Sequence, residues 1–195
     1  MRRPFMSTPA QLTSLEGQQY LVLRPTAVVA DAYSEVQVAA LGGLRDAVTH
    51  PHTGHVTLRG FSEPERRHLL HALIREWAAD QHPIELTVEA VDVFPAPWQI
   101  VILRLARTPA LVTAYAGLTA ALDATDFRRL GELALDDWTF HLSVVYGKHL
   151  DEDAWSDLER ASVRGLPAGV TETVSEVEFV WYENGAEHAE VIPLG

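Results

Sequence analysis

Two short stretches of this chain hold side chains suited to moving protons and steadying negative charge: His55-Val56-Thr57-Leu58 and His141-Leu142-Ser143-Val144. In an extended strand, side chains two residues apart share a face. Each stretch therefore presents an imidazole beside a hydroxyl and turns its aliphatic residues the other way. The copies stand 86 residues apart, a separation that lets each half of a domain supply one of them to a shared site. An unperturbed histidine titrates near pH 6.5, so two of them can serve as general acid and general base at neutral pH, with activity following a bell centred near neutrality. Hydroxyls at Thr57 and Ser143 suit the stabilisation of charge developing on oxygen. Arg59, two residues beyond Thr57, falls on the same face by parity and is placed to pair with an anion.

Other chemistry finds less support. With no cysteine in the chain, disulfides, thiolate metal sites and cysteine nucleophiles are excluded. His50, His52 and His55 suggest a zinc triplet, but they lie in a loop without helical spacing and without an assigned carboxylate, so no metal and no cofactor is expected. His68 and His71 lie one helical turn apart and are expected on a helix surface. Neither a phosphate-binding glycine loop nor a Gly-x-Ser-x-Gly elbow occurs.

The 195 residues are 47% hydrophobic and 22% charged, which fits one globular domain spanning 1–195 and excludes disordered and collagen-like chains. The net charge of −12 is concentrated in residues 131–195, where three basic residues meet fourteen acidic ones. Long nucleic acid held by a basic face is therefore not expected, whereas a nucleotide or an RNA end remains a suitable partner. Apolar runs are too short for a membrane span and no signal peptide is evident, so a cytoplasmic monomer is expected.

The elements that must position these residues follow from periodicity and capping. After a frayed start, a strand over Gln19–Arg24 ends at Pro25, and a helix runs from a capping Asp31 to Val48. A strand then runs from His55 to Phe61. Ser62 and Glu65 form a capping box for a helix whose apolar face is Leu69, Leu70, Leu73, Ile74 and Trp77. Strands over Ile84–Ala90 and Trp98–Arg107 follow, then a helix capped by Thr108 with Pro109 in its first turn, running to Ala124. The second histidine strand covers Phe140–Tyr146. Asp151 opens a helix through Ala154, Trp155 and Leu158, closed by Gly165, and two strands near 170–182 and 187–193 complete the chain. Strand, helix and two strands thus follow each histidine in turn. The pattern predicts an α+β fold built as a two-lobed, pseudo-symmetric duplication, with two antiparallel sheets facing a central cleft and helices outside.

These residues resemble the 2H phosphoesterases, the superfamily of the bacterial 2'-5' RNA ligase and 2',3'-cyclic phosphodiesterase proteins, whose hallmark is two His-apolar-Thr/Ser-apolar tetrads. The resemblance extends to the strand Tyr20–Arg24, the strand Ile100–Leu105 with its following helix, and the approach Trp138-Thr139-Phe140. It implies metal-independent opening of 2',3'-cyclic phosphates on nucleotides or RNA ends, or of related 2'-linked phosphodiesters, with 2'-5' ligation as the reverse reaction. His55 and His141 become the acid and base pair, in either order, Thr57, Ser143 and Arg59 phosphate ligands, and Tyr20 a stacking partner for a base. Family members commonly place Pro before the second histidine and Arg five residues after it, where this chain has Phe140 and Tyr146; Lys148, the sole lysine, is the nearby substitute cation. Two other readings are a nucleotide or RNA-end binding module without turnover and an enzyme acting on a small molecule such as ADP-ribose 1'',2''-cyclic phosphate.

Overall fold

The computed structural model describes residues 2–44, 48–167 and 169–195. The chain runs α1 (Pro9–Leu15), β1 (Gln19–Leu23), α2 (Val28–Gly42), β2 (Val56–Phe61), α3 (Arg67–Ala79), β3 (Ile84–Phe94), β4 (Ile100–Leu105) and α4 (Pro109–Asp123). It continues through β5 (Arg129–Leu130), a 3-10 turn (Leu135–Asp137), β6 (His141–Tyr146), α5 (Glu152–Ser162), β7 (Arg164–Gly165), β8 (Thr171–Val174), β9 (Glu176–Glu183) and β10 (Ala186–Pro193). The fold is α+β, and no described helix is long and apolar enough to cross a membrane.

Every strand pairing is antiparallel, in the order β10-β9-β1-β2-β6-β4-β3-β7, with β5 added to β2 and β8 to β3. The two expected sheets are thus halves of one path, joined where β2 meets β6 through the residue pair Val56↔Leu142. The repeat is present but its strands are exchanged. β3 and β4 follow the first histidine strand in sequence yet flank the second, while β9 and β10 follow the second and join the first through β1.

One face of the sheet is buried under α2, α3, α4 and α5, in a core that includes Leu58, Leu103, Leu142, Tyr33, Leu70, Leu118 and Trp155. Each fully buried aliphatic side chain of this kind contributes about 1.5–3 kcal/mol. α1 departs from the expected arrangement and sits on the other face, where Phe5, Met6, Val22, Val180 and Tyr182 form a second apolar cluster, with Leu12 and Leu15 of α1 against it. The start of the chain, expected to fray, is a structured strap: Phe5 is 1% exposed.

Three local expectations change for identifiable reasons. α2 begins at Val28, before Asp31, because the Glu172 carboxylate from β8 accepts from the Thr26, Ala27 and Val29 amides and satisfies that helix start from across the chain. It ends at Gly42; part of the expected extension to Val48, residues 45–47, lies outside the described residues. The Ser62 capping box does not form. Glu63 is instead buried, pairing with Arg66 and accepting from the Arg128 amide, and α3 starts at Arg67 with Leu69 exposed to solvent. Thr108 and Asp151 do cap α4 and α5, accepting from the Leu111 and Ala154 amides.

Candidate active site

The junction of the two half-sheets carries both tetrads. Val56 and Leu142 are paired and point into the core with Leu58 and Val144, all fully buried. Extending this antiparallel register by one residue each way sets His55 against Ser143 and Thr57 against His141, so the four side chains form a square on the opposite face. All four are half-buried. The backbone is tight where the square begins: a Cβ on Gly54 would lie 2.8 Å from side-chain atoms of Leu142 and Tyr33.

Two register shifts decide which neighbours share that face. Against β1, Val22 pairs with Thr57 but Leu21 pairs with Arg59, so β2 bulges at Leu58 and Arg59 turns to the helix side. There it is 1% exposed, stacked 4.3 Å over the Tyr115 ring, hydrogen-bonded to Tyr115 Oη at 2.7 Å and Thr119 Oγ1 at 2.5 Å, and 3.3 Å from Glu132. The parity expectation for Arg59 is therefore corrected: it is a buried cation between β2 and α4, on the opposite side of the sheet from the histidines. Against β4, Val101 pairs with Val145 but Ile102 pairs with Ser143, leaving Val144 as the extra residue. Val144 and Val145 are both buried, and Tyr146 is returned to the site face, where it stands half-buried beside His55 and Thr57.

The histidines are held by the same local device. Nδ1 of His141 donates to the Thr139 carbonyl at 2.8 Å, and Nδ1 of His55 reaches the Thr53 carbonyl at a longer 3.5 Å. In each case the bond goes to the residue two before the histidine, and Nε2 is left for proton transfer. Burial disfavours the imidazolium of both. It lowers His141 from its ordinary value, against the Thr139 hydrogen bond, and pushes His55 down to about 4, with Arg24 and His141 adding to the effect and the Thr53 carbonyl and Glu178 opposing it.

Beside His55 and Thr57 lies a cavity of about 130 Å³ lined also by Phe5, Tyr20, Tyr146 and Tyr182. Tyr20 thus stands at the site wall, its hydroxyl donating to Gln18 and its phenol pushed up to about 12 by burial. Lys148 is exposed in the turn after β6 and is not among the residues lining this cavity. Two arginines that the sequence patterns did not single out lie nearer. Arg24, at the end of β1, clamps Glu178 through Nε at 2.6 Å and Nη2 at 3.0 Å and donates to Thr53 Oγ1 at 2.5 Å. Arg104 is paired with His141 across β4 and β6, and contacts Asp92 at 3.0 Å and Glu89 at 3.4 Å. A lone arginine in the apolar run Ile100–Leu105 was the available signal, since its charge must take the wet face. His50 and His52 meet edge-on with ring centroids 5.8 Å apart, and His52 Nε2 lies 2.5 Å from Ser7 Oγ. Among the described residues, no three His, Asp or Glu side chains are grouped to hold a metal ion.

Comparison with known proteins agrees with this fold. A family model described as the 2'-5' RNA ligase superfamily matches residues 29–186. The chain is similar in structure to TT0787 of Thermus thermophilus, with a TM-score of 0.67 and 18% identity over 91% of this chain and 97% of the other. E. coli LigT complexed with 3'-AMP gives 0.59 and 11% identity over 92% and 95%, and Usb1 of Kluyveromyces marxianus gives 0.55 and 10% over 93% and 100%. At these identities the structures establish a shared fold. No curated protein sequence matches significantly.

Proposed function

Since the chain belongs to the 2'-5' RNA ligase superfamily, we propose that it opens 2',3'-cyclic phosphates of nucleotides or RNA ends, or related 2'-linked phosphodiesters, by metal-independent two-histidine catalysis, with 2'-5' ligation as the reverse reaction. The observation that carries this reading is the square of His55, Thr57, His141 and Ser143 created by the Val56↔Leu142 register. A phosphodiester seated over it has an imidazole on each side and two hydroxyls for its non-bridging oxygens. The complex of LigT with 3'-AMP, a product-like nucleotide on the same fold, supports the substrate class.

The steps follow from the environments of the rings. His55, which burial keeps in its neutral form, takes the proton as water oxygen attacks phosphorus. His141, protonated, gives its proton to the departing ribose oxygen as the P–O bond breaks, and the product is a phosphomonoester. Thr57 and Ser143 donate to the oxygens on which charge builds. The hydrogen bonds from Nδ1 to the Thr53 and Thr139 carbonyls fix the tautomer that this exchange requires.

Both imidazoles being lowered moves the expected bell to the acid side of the neutral optimum that unperturbed histidines would give. The base must be unprotonated and the acid protonated, so kcat/KM of the free enzyme should rise through about pH 4 and fall below the usual histidine value of about 6.5. The test is incubation with 2',3'-cyclic AMP, a 2'-5'-linked dinucleotide and ADP-ribose 1'',2''-cyclic phosphate across this pH range, with product analysis. Conversion of 2',3'-cyclic AMP to a monophosphate with an acid-shifted bell is the expected result. Binding of 3'-AMP without turnover of any of the three would make the protein a nucleotide-binding module.

A further inference from the structure

The two histidines sit on equivalent strands, yet different rings pack against them. His141 and the Phe94 ring stand perpendicular, 4.8 Å between centroids. His55 has the Phe5 ring against it, tilted by 48° with 4.1 Å between centroids, and the Arg24 guanidinium lies over that Phe5 ring, 3.8 Å from its centroid. Phe5 belongs to the strap that precedes the family-matched residues 29–186. We propose that Phe5 is a positioning residue for His55: the strap holds its ring against the imidazole, excludes water from that side, and so sets His55 up as the proton acceptor. The kinetic part of this inference rests on the phosphodiesterase reading; the titration part does not.

The strap is anchored well enough for that task. The Phe5 and Met6 amides donate to the buried Glu187 carboxylate at 2.9–3.0 Å, and the Phe5 carbonyl accepts from the His52 amide at 2.8 Å. Arg2 bridges Glu178 at 2.9 Å and Glu187 at 2.8 Å, and Glu187 also accepts from Tyr182. Such cover matters more at His55, whose hydrogen bond to the Thr53 carbonyl, at 3.5 Å, is long compared with the 2.8 Å bond at His141. The charged and titratable groups facing His55 are Arg24 from β1, Glu178 from β9, His141 and Tyr146 from β6, and Tyr20 and Tyr182 on the cavity wall, with Arg2 and Glu187 behind the strap. Arg24 and Glu178 offset one another in a bidentate pair, and burial keeps the tyrosines neutral. Desolvation by the apolar cover is then the principal influence on the ring.

The test is a pH titration of the His55 ring by NMR in the full chain, wild type against Phe5→Ala, with His141 as the internal reference. Opening that side to water should move the His55 titration upward by about one unit or more, leave His141 in place, shift the acid limb of kcat/KM by the same amount, and lower kcat/KM about tenfold. Phe5→Leu, which keeps apolar cover without the ring, should restore most of the shift and rate. It also stands in if Phe5→Ala does not fold. An unmoved His55 titration in both variants overturns the proposal. So does a rise in kcat/KM with an unchanged pH profile, which would make the strap a competitor for the site. Absence of turnover in the wild type would count against the phosphodiesterase reading while the titration still decides the role of Phe5.

Discussion

Replacing either His55 or His141 with alanine should lower kcat on 2',3'-cyclic AMP by about two to four orders of magnitude, the range for losing a general acid or base. The double variant should fall little below the weaker single one. Non-additivity follows from the geometry: both rings serve one transition state, so once one proton transfer is lost the other has no coordinated step to assist. The hydroxyls of Thr57 and Ser143 remain in all three variants and account for the residual rate. Thermal unfolding of each variant separates lost chemistry from lost fold, since the residues that pack this stretch of the core, Val56, Leu58, Leu142 and Val144, are untouched. A near wild-type rate in one single variant would remove that histidine from the mechanism.

The second largest effect is expected at the hydroxyls. Thr57→Val keeps the shape of the side chain and removes its donor, and Ser143→Ala does the same for the other strand. Each should cost about 10²-fold in kcat with a small change in KM, since the lost hydrogen bond is made chiefly to charge that develops in the transition state. That factor corresponds to about 2.7 kcal/mol. Thr57→Ser should retain most activity. Equal rises in KM with kcat intact would instead assign the hydroxyls to ground-state binding.

How far the site was legible in the sequence depends on the range of the interactions that build it. Period-two alternation is local, and it placed His55 with Thr57 and His141 with Ser143. The same rule misplaces Arg59, because the bulge at Leu58 reverses the parity, and the bulge at Val144 in the same way turns Tyr146 to the site face. A bulge depends on what the neighbouring strand offers, and neither is marked by a glycine at the bulged residue. The caps at Thr108 and Asp151 use donors three residues away and were readable. The start of α2 is capped by Glu172, more than 140 residues on, and was not. The strap shows the same limit: Phe5 and Met6 look like a loose terminus until Glu187, Arg24 and His55 are assembled around them. The exchange of strands between the half-sheets is likewise a property of pairing, which the order of elements along the chain leaves open.

That two imidazoles suffice for both proton transfers is tested most directly by measuring kcat/KM for 2',3'-cyclic AMP before and after exhaustive treatment with EDTA. The same value is expected in both states, since His55 supplies the base and His141 the acid without a metal-bound hydroxide. Complete loss on chelation, restored by Zn²⁺, would contradict this mechanism and move the chemistry to a metal-activated water.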